Sequence, residues 1–425
     1  MNYKGTCFSV LVLVWLGTAL AGSTALAGST ALPVSAALAD PVRFSTEDTE
    51  VQRIFELADQ RLAVMPAVAA VKWQTKAPIY DPPRETAVIQ RAADLGAPMG
   101  LAPEPLKHLF ELQARLAREV QTGLDEEWKA HGFPSSQPVT PLGELRPKLD
   151  RLTTDILQAV YVATPVLQRP DFESHYADAA RKQLQTSGWT DTNRLELLAV
   201  LHTITLTPVP ALQRVSASNT LRIGTTGDYA PFSLEAGGTL TGSDIERAQQ
   251  LATRLHAVPV FIHTTWSSMS DDLSHGAFDV AMGGVSVTPA REAVGAFSTP
   301  YASGGKTILS RCADKQKFTQ GLQAVDRAKV RVIVNPGGTN EQYVRTNVHH
   351  AQIVVFPDNR GIFNELIARH ADVMITDDAE ADLQSKNHPE LCRAFPGTLT
   401  HADKAIFMPR DPELLKAVND WLAAR

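Results

Sequence analysis

The stretch TLTPVPALQRVSASNT, residues 205–220, divides the chain into two parts of different texture. It is rich in Pro, Ser and Thr and reads as a linker. Before it, from residue 40 to about 207, apolar residues recur at a roughly helical period, with almost no β-type alternation. Val51, Ile54, Phe55, Leu57, Leu62 and Val68 set that period over 46–73. A second helix is expected over about 103–129, with Leu106, Leu109, Phe110, Leu116 and Val120 on one side. A third is expected over 142–162, and shorter ones over 171–187 and 191–204. After the stretch, short β-rich runs alternate with helical patterns: TLRIGTT, PVFIHTT, FDVAMGG, KTILS, VRVIVN, QIVVF and ADVMIT. Strands alternating with helices point to parallel sheets of the α/β type. The reading is a multidomain chain: an all-α domain over 40–207, a linker over 208–219 and an α/β domain over 220–425.

A length of 425 residues suits two or three domains, each with its own core. The formal charge of −6 argues against a general nucleic-acid binder, whose footprint would be a basic excess. It leaves room for a small anionic ligand, which needs only a few local cations. Residues 1–39 carry one Lys, an apolar run of signal-peptide length, small-residue cleavage patterns and two tandem copies of AGSTAL. They read as a leader directing export to the periplasm, with an uncleaved anchor as the alternative. Once Cys7 leaves with the leader, Cys312 and Cys392 remain, either as one disulfide or as two buried thiols.

In the helical part, AVKWQTKAPIYDPPRE, residues 70–85, sets Lys72 and Arg84 around a proline-rich loop. Arg61 and Lys72 are eleven residues apart, so they share a face of one helix if it is continuous, and Pro66 between them should kink it. Cations on a helix are ordinarily a solvated face, but these two sit among apolar neighbours, where burial demands anionic partners. The pattern Arg61-Leu62, Val68-Ala69-Ala70, Lys72-Trp73, Pro78-Ile79, Asp81 and Arg84 resembles the secreted class of chorismate mutase, and the likeness continues through FELQARLAREVQ and LGELRPKLDRL. The resemblance implies a pericyclic rearrangement of chorismate to prephenate, needing neither nucleophile nor metal. Fixed cations would hold the reactive conformer and the charge developing on the breaking ether oxygen. By that analogy Arg61, Arg84 and Arg146 would bind the two carboxylates, while Lys72 and Gln121 would donate to the ether oxygen. Asp81 would steady an arginine. Val88 and Ala117 stand where members of the family have polar contacts.

In the second part, LRIGTTGDYAPFS, GSDIERA and FDVAMGGVSVTPARE resemble the type II periplasmic solute-binding fold, in which two α/β lobes close on a ligand. Arg291 matches that fold's carboxylate-gripping arginine. In VNPGGTNEQ, residues 334–342, a strand ends at a Gly turn, and Thr339 with Gln342 has the spacing of a capping box opening a helix. Such a helix start offers N–H groups to an anion or serves as a plain cap. Trp266, the GGKT segment with Lys306, the NPGGTNE segment and TDDAEADLQSKNHPEL together resemble cyclohexadienyl dehydratase, a catalytic branch of this fold, and the two cysteines sit where that family has a pair. The resemblance implies loss of water and CO₂ from prephenate or arogenate. Glu380 would be the acid, although from position alone it is an ordinary first-turn acid beside Asp377 and Asp378. Lys306 and Asn335 would orient the hydroxyl or ring carboxylate, Arg291 and Thr339 would hold carboxylates, and Tyr229, Phe232 and Trp266 would wall the pocket. No cofactor or metal site is expected, since the histidines are scattered and no nucleotide or zinc motif occurs. The expected partners are chorismate, prephenate, arogenate and a further copy of the chain, with no nucleic acid and no membrane after leader removal. The dehydratase family usually continues beyond the closing VNDWLAAR, which bears on packing and assembly. The joint reading is a bifunctional enzyme of phenylalanine biosynthesis; the alternative joins a mutase to a non-catalytic receptor for an amino acid or aromatic acid.

Overall fold

The computed structural model describes residues 41–425. The expected leader therefore lies outside the described residues.

The helical part contains α1 (Glu47–Ala63), α2 (Met65–Thr75), α3 (Pro82–Gly96), α4 (Pro103–His131), α5 (Leu142–Leu167), α6 (Phe172–Gln183) and α7 (Asp191–His202). Thr46 caps α1 by accepting from the Thr49 N–H at 3.1 Å. The helix expected over 46–73 breaks at Val64, because Pro66 in the first turn of α2 supplies no N–H to continue the ladder. The proline loop ends sooner than expected. Asp81 accepts from the Arg84 N–H at 3.2 Å, Pro82 and Pro83 occupy the first turn, and α3 follows at once. One apolar core runs through α1, α4, α5, α6 and α7, with Phe55, Leu106, Leu116, Ile156, Tyr161 and Leu197 fully buried.

The stretch 208–219 corrects the expectation of a flexible linker. It holds α8 (Ala211–Ser218), which buries Ala211 and Val215 in the core of the α/β part and ends at Asn219 in the left-handed conformation. Gln158 of α5 donates to the Ser218 carbonyl at 2.8 Å, and the Leu212 N–H donates to Asp411 at 2.9 Å. The domain edge at 40 moves as well. Strand Phe44–Ser45 adds in parallel to the edge strand Val258–His263 of the first α/β lobe. That same edge strand packs Val260 and Ile262 on the bundle core.

The first lobe has a six-stranded sheet in the order Phe44–Ser45, Val258–His263, Thr220–Thr225, Val280–Ala281, Phe407–Met408, Ala296–Phe297. The second has five, in the order Gln352–Val355, Arg331–Val334, Val373–Asp377, Lys306–Arg311, Leu391–Arg393. Both are mixed rather than wholly parallel. Phe407–Met408 returns from the other lobe and enters antiparallel, as do Lys306–Arg311 and Leu391–Arg393. The two crossings pair as a short ladder, Ala302–Gly304 against Ala402–Lys404, which is the natural hinge. Cys312 and Cys392 are bonded to each other, where Ser310 already pairs with Cys392 across the sheet.

A buried cluster joins the two parts. The Tyr161 hydroxyl of α5 donates to Asp279 at 3.0 Å, and the Arg222 guanidinium lies 4.2 Å over its ring. Arg222 also donates to Asp279 at 3.0 Å. Arg222 and Asp279 are both fully buried.

Candidate active sites

In the bundle, α1, α2, α4, α5 and the start of α3 enclose a cavity of about 260 Å³. Arg61, Lys72, Arg84, Gln121 and Arg146, all five residues expected from the sequence, line it. They come from four helices and the α3 entrance, so no local segment could assemble them alone. Arg61 and Gln121 are buried in the wall, Lys72 is half-buried, and Arg84 and Arg146 are exposed at the rim. Burial lowers the Arg61 guanidinium to about 10, with Asp150 working the other way. Burial also lowers the Lys72 ammonium, opposed by Asp81 and Glu85. Lys72 donates to the Ile79 carbonyl at 2.8 Å, which ties it under the 77–81 loop. Gln121 donates to the Ala117 carbonyl at 2.9 Å, leaving its buried carbonyl oxygen without a protein partner. Val88 and Ala117 line the cavity as apolar wall. The enclosure thus sets the cations Arg61, Lys72, Arg84, Arg118 and Arg146 against the carboxylates Asp81, Glu85 and Asp150, with the Gln121 amide in the wall. Two further cavity residues, Glu85 and Arg118, were not singled out from the sequence; a charged pair 33 residues apart on two helices leaves no periodic signal.

The second site lies between the α/β lobes. Tyr229, Trp266 and Arg291 from the first lobe meet Asn335 and Thr339 from the second around a cavity of about 30 Å³. Asn359 donates to the Asp228 carbonyl at 2.9 Å, and Arg360 reaches Glu235 at 2.8 Å, so the lobes are closed on each other. A ring acid cannot fit that volume, and the lobes must part for one to enter. Gly284 in the wall has φ of 76° and a Cβ there would lie 2.6 Å from the Tyr229 ring, so only glycine suits both backbone and space. Arg291 donates to the Ser286 carbonyl at 2.9 Å and lies 5.9 Å from the Trp266 ring; burial lowers it to about 10.

Helix Thr339–Asn347 begins as expected, but the capping box is absent: Gly338 is the cap, and the Thr339 hydroxyl instead accepts from Lys306 Nζ at 2.7 Å. Lys306 also donates to Asn340 at 2.6 Å and to Asp377 at 2.6 Å. Lys404 donates to the other Asp377 oxygen at 2.7 Å, and the Tyr229 hydroxyl donates to Asp377 as well. Burial works against the Asp377 carboxylate, yet Lys404 and Lys306 hold it well below the usual range. Burial lowers Lys306, with Asp377 opposing. Glu380 is 1 % exposed and does not line the closed cavity. It sits one layer behind, bonded to the Thr376 hydroxyl, which accepts from Asn340 at 3.1 Å. Burial raises its carboxyl to about 8, against the Thr376 hydrogen bond and with the help of Asp377 and Asp228. An acid that keeps its proton near neutrality therefore lies within the field of the buried Lys306, beside the Asp377 that Lys306 and Lys404 share. Lys404, Ser286, Asn340 and Asn359 were missed in the sequence. Lys404 falls in HADKAIF, a run with no motif, and Asn340 stood unnoticed inside the Gly-turn segment. The described residues hold no group of three or more His, Cys, Asp or Glu arranged for a metal, and no helix long and apolar enough to cross a membrane.

The architecture defines a class: a helical bundle with a cation-lined cavity, joined to a two-lobed protein that closes over a buried, positively charged cleft. Residues 52–122 match chorismate mutase type II, and residues 221–425 match the bacterial extracellular solute-binding proteins, family 3. Cyclohexadienyl dehydratase of Pseudomonas aeruginosa is 43% identical over 214 residues, 50% of this chain and 79% of that protein. The L-cystine-binding protein of Escherichia coli is 30% identical over 216 residues, with 50% and 79% covered. A solved ancestral amino-acid-binding protein, described as a precursor of cyclohexadienyl dehydratase, shares 34% identity and a TM-score of 0.47, covering 50% of this chain and 92% of that one. The chain belongs to family 3 of the bacterial extracellular solute-binding proteins, and carries in front of that domain a segment of the chorismate mutase type II kind.

Proposed function

We propose that the chain is a bifunctional enzyme that converts chorismate to prephenate in the bundle and prephenate or arogenate to phenylpyruvate or phenylalanine in the cleft. The convergence of Arg61, Lys72, Arg84, Gln121 and Arg146 on one cavity carries the reading. In the first reaction the ether C–O bond breaks as a C–C bond forms, with no proton exchanged. Arg61, Arg84 and Arg146 hold the two carboxylates, and Lys72 and the Gln121 amide stabilise charge on the ether oxygen. In the second, the ring hydroxyl leaves as water once protonated, and the ring carboxylate leaves as CO₂, its bonding pair completing the aromatic ring. Prephenate and one proton thus give phenylpyruvate, CO₂ and water. Glu380, protonated up to about pH 8, supplies that proton when the cleft reopens and closes around substrate, and is reprotonated from solvent. Arg291 and Thr339 grip carboxylates, Lys306 and Asn335 orient the ring substituents, and Tyr229 and Trp266 wall the ring.

The domain limits proposed for this function are 1–39 as leader, a mutase ending near 207 and a dehydratase from 220. Export to the periplasm agrees with the Cys312–Cys392 bond, which persists in oxidising compartments. Fractionation tests the location, and light scattering tests assembly into a homo-oligomer. The decisive experiment gives the purified chain chorismate and follows phenylpyruvate by its absorbance in alkali. Both steps are expected. Chorismate loss without phenylpyruvate, together with tight amino-acid binding, would favour a receptor in place of the dehydratase. Persistence of chorismate would sink the mutase.

A further inference from the structure

Residues 42–45 precede the bundle in sequence but are built into the first α/β lobe. The Val42 carbonyl accepts from the Leu240 N–H at 2.7 Å, and Phe44–Ser45 pairs in parallel with Phe261 and Ile262. Val42 and Phe44 pack on the apolar core of that lobe. The far end of the segment is fastened to the bundle, since the Ser45 hydroxyl donates to Glu50 of α1. The Phe44 ring lies 5.2 Å from His263 and covers Gly227, where a Cβ would stand 2.9 Å from the ring. Gly227 has φ of 63°, so the loop turns there in a conformation suited to glycine, directly against Phe44.

The patch against Phe44 is where the second lobe takes hold of the first. Asn359 donates to the carbonyl of Asp228, the residue after Gly227. Arg360 reaches the Glu235 carboxylate, and the Glu235 N–H donates to the Gly227 carbonyl at 2.8 Å. Asp228 also accepts from the Trp266 indole at 3.0 Å, and Tyr229 follows it in the cleft wall. Arg43 and Phe44 line a second cavity, of about 640 Å³, that shares Trp266, Asn335 and Asn359 with the cleft.

We infer that Phe44 is a positioning residue of the cleft: it braces the Gly227–Tyr229 loop in the place that Asn359 and Arg360 grip, and so favours closure of the lobes over substrate. This rests on the reading of the cleft as the dehydratase site. Phe44 does not line the closed cleft, so its effect runs through closure and not through the reacting groups. Substrate binds tightly only in the closed form, and a looser loop lowers the closed fraction of each complex. While most complexes still close, that cost appears in KM with little change in kcat. Loss of the acid Glu380 would instead depress kcat. The dehydratase cleft thus depends on residues that lie on the far side of the mutase bundle in the chain.

The test compares prephenate dehydration by the full-length protein with F44A, F44L, G227A and the double variant F44A/G227A, using chorismate consumption by the same preparations to show that the bundle is intact. F44A is expected to raise the prephenate KM about fivefold, with kcat within about twofold of the parent. F44L, which keeps apolar bulk over Gly227, is expected to recover most of the loss. G227A drives a Cβ against the Phe44 ring and is expected to raise KM as well. Because the two substitutions act through one contact, the double variant should raise KM by less than the product of the single effects. Should F44A not fold, F44L and G227A carry the same comparison. An unchanged KM in F44A would overturn the inference. So would losses of both activities in step, which would mean that the segment serves stability alone, or a double variant equal to the product of the singles, which would separate Phe44 from the loop. Failure of the dehydratase reading looks different, because the unsubstituted protein itself would then leave prephenate intact.

Discussion

At the scale of single residues, the second site turns on a carboxyl kept neutral in a buried, charged neighbourhood. Its pH dependence has a definite sign. The folded-state value of Glu380 is raised to about 8, from an ordinary 4.5. Below 4.5 both folded and unfolded chains hold the proton. Between 4.5 and about 8 the folded chain holds a proton that the unfolded chain has released, so stability falls as pH rises through that window. Glu380→Gln carries no titrating group and should flatten this limb when thermal unfolding is followed from pH 5 to 9. The same protonation governs turnover in the proposed mechanism. Dehydration by the parent should fall above about pH 8, while Glu380→Gln should bind ligand yet lose at least about a hundredfold in rate, as general acids contribute. Retained turnover in that variant would remove Glu380 from its assigned role. Lys72 poses the parallel question in the bundle. Lys72→Ala should abolish most mutase activity without touching dehydration, and unchanged chorismate consumption would end its role as donor.

At the scale of elements, legibility followed the range of the interactions. Helices α4, α5, α6 and α7 were readable because each carries an apolar stripe visible within one segment. The seven β-rich runs were readable for the same reason. What escaped was set by distant partners. Phe44–Ser45 is a strand only because Val258–His263 offers an open edge, more than two hundred residues away. α8 looked like a linker because its apolar stripe is only Ala211 and Val215, enough when an existing core receives it. α3 was missed although its signal, Asp81 before Pro82-Pro83, is a local start signature. The sites divide likewise: residues in family-like patterns were found, whereas Arg118, Glu85 and Lys404 act through partners far away in sequence. The disulfide is the element-scale feature with the plainest consequence. It closes a loop of 80 residues in the second lobe. Replacing both cysteines by serine is expected to cost about 2–4 kcal/mol. Urea unfolding of that lobe should shift accordingly, with the bundle's mutase activity spared under native conditions. Equal stability of the disulfide-free variant would show that the strand pairing between Leu309–Arg311 and Leu391–Arg393 already suffices.

At the scale of the whole molecule, the two parts are joined through a shared buried junction. α5 carries Arg146 at the bundle cavity and, fifteen residues on, Tyr161 at the junction, roughly 22 Å along one helix axis. Tyr161 donates to Asp279, and Asp279 directly precedes strand Val280–Ala281, which leads into Gly284 in the wall of the cleft. Arg222 and Asp279 are buried without water-facing surface, so each needs the other, and both take part of their environment from the bundle. Removing one member should therefore cost far more than a surface ion pair. Asp279→Asn leaves Arg222 buried without its counter-charge, at about 3–5 kcal/mol. Tyr161→Phe keeps the ring over Arg222 and loses only the hydroxyl bond, at about 1.5–3 kcal/mol for a bond to a charged acceptor. Because the junction is shared, unfolding of bundle and first lobe should be one event. Urea titration followed by far-ultraviolet dichroism, chorismate consumption and prephenate dehydration should give coincident midpoints, all moved together by Tyr161→Phe. Two separated transitions, with Tyr161→Phe moving only the mutase curve, would mean that the bundle is a tethered passenger. Coincident curves would mean that the product of the first cavity is always released at a fixed distance from the second cleft, set by α5 rather than by the reach of a flexible chain.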